Sequence, residues 1–413
     1  MKRKVLMIVN YFYPEVAAGA QLMTELCEQL QSDFELTVIA AFPNYVANVP
    51  EEYKGKFIVV EKYKNITILR IRVPNVDKKS KISRLKYMLY YFINSVLAIM
   101  KSGKQDLIFA ISQPPILGGI LGNIAKRIKK AKLIYNIQDF SPEVVEVVGY
   151  FKHKGVLNLA RSMDNSSCKA ADVVLLVGRD MKETLKNRFV NHEVPNNVII
   201  NNWIDENTII PLNKKNLIVE KFKEKYGLLD KFIFMYSGNI GLYYDLENII
   251  KVIAKFKDNK DILFAFVGDG AMKGTLVDYC YINHVENIRF IPYQSKEELL
   301  YSLNAADVHM VTSAKGIKGI SVPSKIYGVM AVDKPVLGIL EKGAEARMLI
   351  EESGCGYCCD PGEYIKIEEM ISKLIIDVNE NVFFGRGREY IEKELTKDKS
   401  MIKYKELFLS VIE

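Results

Sequence analysis

Short apolar runs alternate with longer amphipathic stretches along most of this chain. Such runs predict strands that are buried on both faces, and the amphipathic stretches predict helices packed against them. Strands that alternate with helices form βα units and a mainly parallel sheet. A helix is predicted for residues 19–31, between the first two runs. The runs are residues 4–10, 35–41, 106–112, 132–138 and 172–178 in the first half, and 231–238, 261–270, 287–293, 307–313 and 334–340 in the second.

A polar segment, NNWIDENTIIPLNKKNL at residues 201–217, separates the two sets of runs and lacks helical periodicity. A chain of 413 residues is also too long for one hydrophobic core. We therefore predict two doubly wound Rossmann-like α/β domains that face each other across a cleft, with a boundary near Asp205. The first domain spans residues 1–205 and the second spans residues 206–396. Residues 397–413 are predicted to form a C-terminal helix that can cross back to the first domain.

The composition limits the classes of function. Hydrophobic residues make up 49% of the chain and charged residues 26%, which is typical of soluble globular proteins. The formal net charge of +7 suits a protein that binds anions such as nucleotides, diphosphates or acidic lipid headgroups. The sequence has no basic stripe interleaved with aromatic residues, so nucleic acid is not a predicted partner.

The six cysteines indicate neither a metal site nor disulfide bonds. Cys355 and Cys358 form one CxxC, but a zinc site usually needs a second ligand pair, and the spacing also fits a buried strand before a Pro-Gly turn. Scattered cysteines are typical of a reducing compartment. The apolar run near the N-terminus is not followed by a small-residue cleavage site, so we expect a cytoplasmic protein.

One stretch, LKYMLYYFINSVLAIM at residues 85–100, is strongly apolar and aromatic. It is shorter than the roughly 20 residues needed to span a bilayer. One interpretation is a buried helix between two strands. The alternative is a helix whose face contacts the inner membrane surface, with the basic segment at residues 78–86 meeting anionic headgroups.

Several loops that follow predicted strands carry residues that allow a phosphate group to approach the backbone. Because the carboxyl ends of parallel strands meet at one edge of a sheet, the loops of the second domain should converge on one site. Neither GxGxxG nor a Walker A pattern is present, which argues against a dehydrogenase and a P-loop kinase. The candidates are Gly19 in the first domain and Gly238, Asn239, Gly241, Gly268, Asp269, Pro292, Tyr293, Ser324 and Lys325 in the second.

The stretch GISVPSKIYGVMAVDKPVLG, residues 319–338, places Pro323, Ser324 and Lys325 where a loop enters a predicted helix. Proline fits the first helical turn, and Ser321 or Ser324 could cap the helix. A helix N-terminus already favours an anion, so a cation added there indicates a phosphate site. The convergence of the loops favours the phosphate interpretation of Lys325.

Taken together, the motifs resemble those of GT-B glycosyltransferases of family 4. The resemblance covers nearly the whole chain, and it is closest to bacterial enzymes of O-antigen and capsule clusters, among them N-acetylfucosamine transferases. Each motif alone is loose, but their order and spacing are specific. They read YNIQDFSPEVVEVVG at residues 135–149, GNIG at 238–241, VGDG at 267–270, PYQSKEELLYSLNAADV at 292–308 and VPSKIYGVMAVDKPV at 322–336.

The resemblance implies a hexosyltransferase that moves a sugar, an N-acetylated amino sugar, with retention of configuration. The implied donor is a UDP-sugar held by the second domain, and the implied acceptor is a polyprenyl-diphosphate-linked glycan held by the first, in capsule or O-antigen biosynthesis. No metal or other cofactor is expected. Without a metal, a helix N-terminus and cations must stabilise the departing diphosphate.

The chain departs from the family pattern at several positions. Many members carry an arginine and a lysine after the GNxG-like turn, whereas this chain reads NIGLYYDL at residues 239–246. Many also carry two glutamates eight positions apart, which correspond here to Ile320 and Gly328. The second glutamate commonly holds the ribose, a role that is unassigned in this chain. We therefore expect the phosphate charge to rest on Ser324, Lys325 and loop amides.

Asp139 is, with Lys325, our candidate catalytic residue. The histidine that relatives carry in this region is missing, and Asp139 stands near its place in QDFSPE. A carboxylate there could stabilise positive charge at the anomeric carbon. The alternative is a helix entry, in which Asp139 or Ser141 caps the helix and Pro142 takes the first turn.

Glu15 and Glu143 are candidates for the acceptor side of the site. Glu15 follows the first predicted strand and can equally be a simple loop residue. His309 lies within a strand pattern and is predicted to be a core residue.

Two alternatives to a transferase remain open from the sequence. The missing basic pair and glutamates would suit a catalytically inactive scaffold protein that binds a nucleotide sugar. A UDP-sugar 2-epimerase shares the two-domain fold and would convert the sugar without an acceptor.

Overall fold

The chain forms two units, and each has its own sheet. The first comprises Met1–Asn202 together with Ser400–Glu413, and the second comprises Trp203–Lys399. The division after Asn202 falls close to the boundary predicted at Asp205. The computed structural model describes residues 2–15, 18–43, 51–76, 80–149, 153–213 and 215–413.

In its described part, the first unit has eight strands in one sheet. They are β1 (Arg3–Ile8), β2 (Phe34–Ala41), β3 (Ile58–Tyr63), β4 (Ile66–Ile71), β5 (Leu107–Ile111), β6 (Lys132–Ile137), β7 (Val173–Leu176) and β8 (Asn197–Ile199). Their order is β3-β4-β2-β1-β5-β6-β7-β8. The β3–β4 pair is antiparallel and the other pairs are parallel. Every residue of β5 is buried, which explains its uninterrupted apolar sequence.

The helices of the first unit connect these strands. They are α1 (Ala18–Leu30), α2 (Lys81–Lys101), α3 (Leu117–Lys129), α4 (Ser141–Val147), α5 (Lys154–Ala170) and α6 (Met181–Arg188). The helix predicted for residues 19–31 is confirmed by α1. Among the described residues, no helix combines the length and apolar character needed to cross a membrane.

The second unit has six described strands, all parallel to their neighbours. They are β9 (Phe232–Ser237), β10 (Ile262–Val267), β11 (Ile288–Ile291), β12 (Val308–Thr312), β13 (Val336–Ile339) and β14 (Gly356–Cys359). Their order is β11-β10-β9-β12-β13-β14. The chain therefore winds outward in one direction from β9 and in the other from β12, so the topological switch point lies between these two strands.

The helices of the second unit are α7 (Leu217–Lys225), α8 (Leu246–Ile253), α9 (Lys273–Ile282), α10 (Lys296–Asn304), α11 (Lys325–Ala331), α12 (Glu345–Ser353), α13 (Tyr364–Asn379) and α14 (Arg386–Glu394). Its core includes Phe234, Phe264 and Phe266 of the central strands. All ten predicted runs contain a strand, and the predicted fold of two Rossmann-like α/β domains is confirmed.

The last helix, α15 (Lys397–Ile412), begins in the second unit and continues into the first. Within the first unit, the Phe408 ring packs 5.7 Å from the Phe34 ring and 5.4 Å from the Phe109 ring, centroid to centroid. Lys405 also forms an ion pair of 2.6 Å with Asp33. The C-terminal residues thus complete the core of the first unit.

Candidate functional site

The loops that follow β9 and β12 lie at the switch point of the second sheet, where ligands of doubly wound sheets bind. The loop after β9 holds Gly238, Asn239 and Gly241. The loop after β12 leads to Lys325, the first residue of α11. The sequence therefore brings these predicted site residues to neighbouring strand ends of one unit.

Glycine is required where the loops after β9 and β10 touch. Gly238, Gly268 and Gly270 have φ angles of 136°, 142° and 157°. A β-carbon on Gly268 would lie 2.0 Å from the carbonyl oxygen of Gly238, and one on Gly270 would lie 2.3 Å from that of Ile240. Backbone cannot yield to such contacts, so the two loops interlock only with glycine at these positions.

Backbone hydrogen bonds join the same two loops. The Gly238 N–H donates to the carbonyl of Val267 at 2.9 Å, and the Ile240 N–H donates to that of Asp269 at 2.8 Å. These two amides are therefore engaged with the neighbouring loop and strand end. The side chains of Asn239 and Asp269 are exposed at this edge of the sheet.

Lys325 has an unusual environment. Its Nζ is buried and has no hydrogen-bond partner among the described residues. The nitrogen lies 3.5 Å from the ring centroid of Tyr236 and 4.3 Å from that of Tyr244. Burial lowers the pKa of this amine well below its usual value. A buried amine without a hydrogen-bond partner gains from pairing with an anion, because an anion compensates for its loss of hydration.

The start of α11 does not use a side-chain cap. Ser324 occupies the N-cap position, but its hydroxyl makes no capping hydrogen bond and the residue is exposed. The carbonyl of Pro323 accepts from the Ile326 N–H at 3.2 Å, so backbone alone closes the first turn. The capping interpretation of Ser324 is therefore wrong.

The candidates Pro292 and Tyr293 follow β11, the edge strand of the sheet. Both residues are exposed, and Gln294 Nε2 donates to the carbonyl of Pro292 at 2.6 Å. The helix that follows is α10, which has acidic residues in its first turn and a capping box formed by Ser295 and Glu298. Strand β11 lies two strands away from the switch-point strand β9.

The two positions that correspond to family glutamates are both buried. Ile320 lies before α11 and Gly328 within it, where a β-carbon would stand 3.3 Å from Leu303 Cδ1. A different acidic residue, Glu341, organises this loop. Its Oε2 accepts from the N–H groups of Gly316 at 2.8 Å and Lys318 at 3.2 Å. Sequence reasoning missed Glu341 because it follows β13 rather than the loop that it holds.

In the first unit, Asp139 follows β6 and is half-buried. Its N–H and that of Gln138 both point to Ser112 Oγ, at 3.5 and 3.1 Å. The N-cap position of α4 falls on Phe140, without a side-chain capping bond, although Pro142 does take the first turn. The capping alternative for Asp139 and Ser141 is therefore not observed.

Glu143 lies in α4 and is held by two arginines. Its carboxylate accepts from Arg188 Nε at 2.9 Å and from Arg161 Nε at 2.8 Å. Burial alone would raise the pKa of Glu143, but the bonds to Arg188 and Arg161 outweigh it and lower the pKa. Arg188 also pairs with Asp164 at 2.5 Å, so this carboxylate ties α4 to α5 and α6.

The remaining candidates lie elsewhere in the described residues. Glu15 is buried after β1, where its N–H donates to the carbonyl of Phe12 at 3.1 Å. Gly19 lies in the first turn of α1, where a β-carbon would stand 3.4 Å from Gln113 Oε1. His309 is a core residue as predicted, because its Nε2 lies 2.9 Å from the Leu303 carbonyl oxygen and burial lowers its pKa to about 4.

No group of three or more metal-ligating side chains is found among the described residues. The cysteines of this part of the chain are unpaired thiols, and Cys355 and Cys359 are buried. Burial raises the pKa of the Cys355 thiol to about 11, as in a core residue of low reactivity.

Comparison with known proteins finds similarity within the second unit and along most of the chain. Residues 218–387 match the family model "Glycosyl transferases group 1". The probable glycosyltransferase WbjE of Pseudomonas aeruginosa is 28% identical over 312 residues, which is 73% of this chain and 74% of WbjE. The putative colanic acid biosynthesis glycosyl transferase WcaI of Escherichia coli is 25% identical over 411 residues, or 96% of this chain and 97% of WcaI.

A solved structure agrees with the fold over the full length. HepE of Anabaena, in complex with UDP and glucose, has a TM-score of 0.73 and 14% identity, and the match covers 99% of this chain and 100% of HepE. The resemblance to GT-B glycosyltransferases drawn from the motifs is confirmed.

Proposed function

Because this chain is a glycosyltransferase of the GT-B fold with a group 1 domain in its second unit, we propose that it transfers a sugar from a UDP-sugar to a lipid-linked glycan with retention of configuration. It acts in bacterial polysaccharide or lipopolysaccharide biosynthesis, the setting for which its relative WcaI is named. The sugar is an N-acetylated amino sugar, as in the enzymes that the motifs resemble.

The observation that carries the donor assignment is the buried, unpartnered amine of Lys325 at the switch point of the second sheet. A donor diphosphate supplies the anion that this amine lacks, and HepE holds UDP in a structure of the same fold. As the sugar bond breaks, negative charge grows on the leaving phosphate. Lys325 and the hydroxyl of Ser324 stabilise that charge, so no divalent ion is needed.

Asp139 is proposed to act on the sugar rather than on the diphosphate. Its carboxylate orients hydroxyl groups and stabilises the positive charge that develops at the anomeric carbon, while the leaving phosphate takes the proton of the acceptor. The half-buried position of Asp139 at the carboxyl end of β6 supports this assignment. The ion pairs of Glu143 favour a structural role for that residue over an acceptor-binding one.

The acceptor lipid implies contact with a membrane, and α2 offers a surface for it. One face of the helix, including Tyr87, Tyr91 and Ile99, is buried in the core of the first unit. The helix lies between β4 and β5 in the chain, as the interpretation of a buried helix has it, but only one face is buried and a second face is exposed along the full length of α2. We name it the apolar stripe, and it consists of Ile82, Leu85, Leu89, Ile93, Leu97 and Met100.

Charge supports an anionic membrane as the occupant of the apolar stripe. The 21 residues of α2 include four basic residues and no acidic one. Lys86 near its start and Lys101 at its end are exposed, as are Arg127 and Lys130 of the neighbouring α3 segment. Apolar side chains that enter the headgroup boundary beside basic ones are typical of interfacial helices. Lys78, where the predicted basic segment begins, lies outside the described residues.

The test is turnover. Purified protein is incubated with a panel of UDP-sugars and a polyprenyl-diphosphate-linked glycan, and UDP release is followed while the product linkage is read by mass spectrometry and NMR. We expect acceptor-dependent UDP release that persists in EDTA and an anomeric configuration equal to that of the donor. Sugar conversion without acceptor would instead indicate an epimerase, and binding without turnover would indicate a scaffold protein. Loss of activity in EDTA, restored by magnesium or manganese, would contradict the metal-free mechanism.

A further inference from the structure

Two tyrosine rings enclose the amine of Lys325. Tyr236 lies near the end of β9, and Tyr244 lies in the turn before α8. The Lys325 nitrogen is within 3.5 and 4.3 Å of the two ring centroids. A β-carbon on Gly238 would stand 3.7 Å from the same nitrogen, so backbone limits the space on the side of the GNIG turn.

The rings are themselves held in place. The Tyr236 hydroxyl donates to the carbonyl of Asn239 at 2.7 Å, and its ring meets the Tyr244 ring edge-on at 5.9 Å between centroids. The carbonyl of Tyr244 accepts from Thr312 Oγ1 at 3.0 Å. The aromatic pair is thus fixed to β12 as well as to the turn after β9, which are the two segments that border the switch point.

An ammonium over an aromatic face is attracted by the negative face of the ring, and the attraction is stronger where both groups are removed from water. Burial disfavours the charged form of the Lys325 amine. The ring faces of Tyr236 and Tyr244 offset part of this cost without neutralising the charge. A carboxylate partner would compete with an incoming phosphate, whereas a ring does not. The turn after β9, residues 239–246, has no second basic residue that could share the charge of a diphosphate.

We propose that Tyr236 and Tyr244 are positioning residues for the donor. Their rings favour the charged form of the Lys325 amine and keep it stationary where the diphosphate binds. This inference rests on the proposed function, because it takes Lys325 as the group that binds the donor diphosphate. Neither tyrosine needs to contact the donor.

The test is a double-mutant cycle with UDP as the probe, measured by calorimetry on the full chain. The variants are Tyr244→Leu, Lys325→Met and the combination of the two, with Tyr244→Phe as the conservative variant. We expect Tyr244→Leu to weaken UDP binding about tenfold, or about 1.4 kcal/mol, and Tyr244→Phe to recover it because the ring face is kept. In the Lys325→Met background, Tyr244→Leu should have little further effect.

The outcomes separate this inference from the function on which it rests. If Lys325→Met leaves UDP affinity unchanged, the diphosphate role of Lys325 fails. If Lys325→Met weakens binding but Tyr244→Leu acts equally in both backgrounds, or not at all, the positioning role is overturned. Thermal unfolding of each variant detects a merely structural effect, which would lower the melting temperature without coupling to Lys325. Tyr236→Phe keeps the ring and removes the bond to Asn239, so wild-type UDP affinity in this variant assigns the effect to the ring face.

Discussion

The carbonyl oxygen of Gly238 lies so close to Gly268 that a β-carbon on Gly268 would stand only 2.0 Å from it. Gly268→Ala should therefore lower the free energy of unfolding by about 2 kcal/mol or more, from the contact and from a φ of 142° that alanine resists. Chemical denaturation measures the free energy of unfolding of the variant and of the wild type. The control is Gly274→Ala in α9, where an added β-carbon meets nothing within 4 Å and stability should be unchanged or higher by up to about 1 kcal/mol. Equal stabilities of the two variants would contradict the interlocked loops.

Lys325→Ala should weaken UDP binding by about one to two orders of magnitude. A charge-assisted contact contributes roughly 1.5–3 kcal/mol to binding, and about 1.4 kcal/mol corresponds to a tenfold change in the dissociation constant. The fold should be kept, because the lost amine has no hydrogen bond among the described residues. Calorimetry gives the affinity, and Lys251→Ala on α8, whose lysine is exposed, serves as the matched loss of charge. Unchanged UDP affinity in Lys325→Ala would remove this residue from the donor site.

Donor binding should also take up protons. Burial lowers the pKa of the Lys325 amine well below its usual value, and a bound diphosphate raises it again. At pH values between the free and bound pKa, the free protein holds a neutral amine and the complex holds an ammonium. UDP affinity should therefore fall as the pH rises through this window. Calorimetry at mildly alkaline pH in buffers of different ionisation enthalpy counts the protons, and the uptake should disappear in Lys325→Met. Equal uptake in that variant would assign the proton to another group.

Asp139→Asn should lower kcat about a hundredfold, or about 2.7 kcal/mol, while UDP affinity barely changes. The carboxylate acts mainly in the transition state, so its loss affects the rate more than ground-state binding. Steady-state kinetics with the UDP-sugar that supports turnover measures kcat, and calorimetry measures UDP affinity. Glu146→Gln is the control, because Glu146 is a half-exposed carboxylate of the neighbouring helix, ion-paired with Arg161. A kcat near that of the wild type in Asp139→Asn would exclude Asp139 from the reaction.

The apolar stripe of α2 should bind anionic membranes. In flotation with liposomes that contain an anionic lipid, the wild type should float at low salt and be partly released at high salt. Replacing Leu85, Leu89 and Ile93 by serine should abolish flotation without lowering the melting temperature, because these side chains are exposed.

The control for the membrane experiment lies on another helix of the same unit. Val156, Leu159 and Met163 of α5 are also exposed apolar residues, and their replacement by serine should leave flotation unchanged. If the wild type stays at the bottom of the gradient at low salt and does not float with the anionic liposomes, the apolar stripe does not serve as a membrane surface.

The strands could be predicted because parallel strands buried on both faces produce uninterrupted apolar runs. All five residues of β5 and all six of β10 are buried, and both segments were recognisable from sequence. The antiparallel strand β3 alternates between exposed and half-buried positions and has no such run. The edge strand β8 is only three residues long, too short for its pattern to be distinctive.

The site was only partly predictable, because its key contacts join residues far apart in the chain. Lys325 was recognisable from its position at a helix start, but its aromatic partners come from β9 and the turn after it, and sequence spacing does not indicate a ring face. The ion pairs of Glu143 with Arg161 and Arg188 span 18 and 45 positions. No local pattern predicts them, so the carboxylate resembled a free acceptor-side group.

The path of α15 has a consequence for the order in which the protein can fold during synthesis. Phe34 and Phe109 leave the ribosome early, whereas Phe408, which packs against both rings, emerges only after the entire second unit has been made. Domains made first usually fold first, but here the rings of Phe34 and Phe109 lack one of their packing partners until the end of synthesis. Synthesis of the second unit therefore precedes completion of the first unit's core, and a nascent chain halted before Ser400 leaves Phe34 and Phe109 without the Phe408 ring.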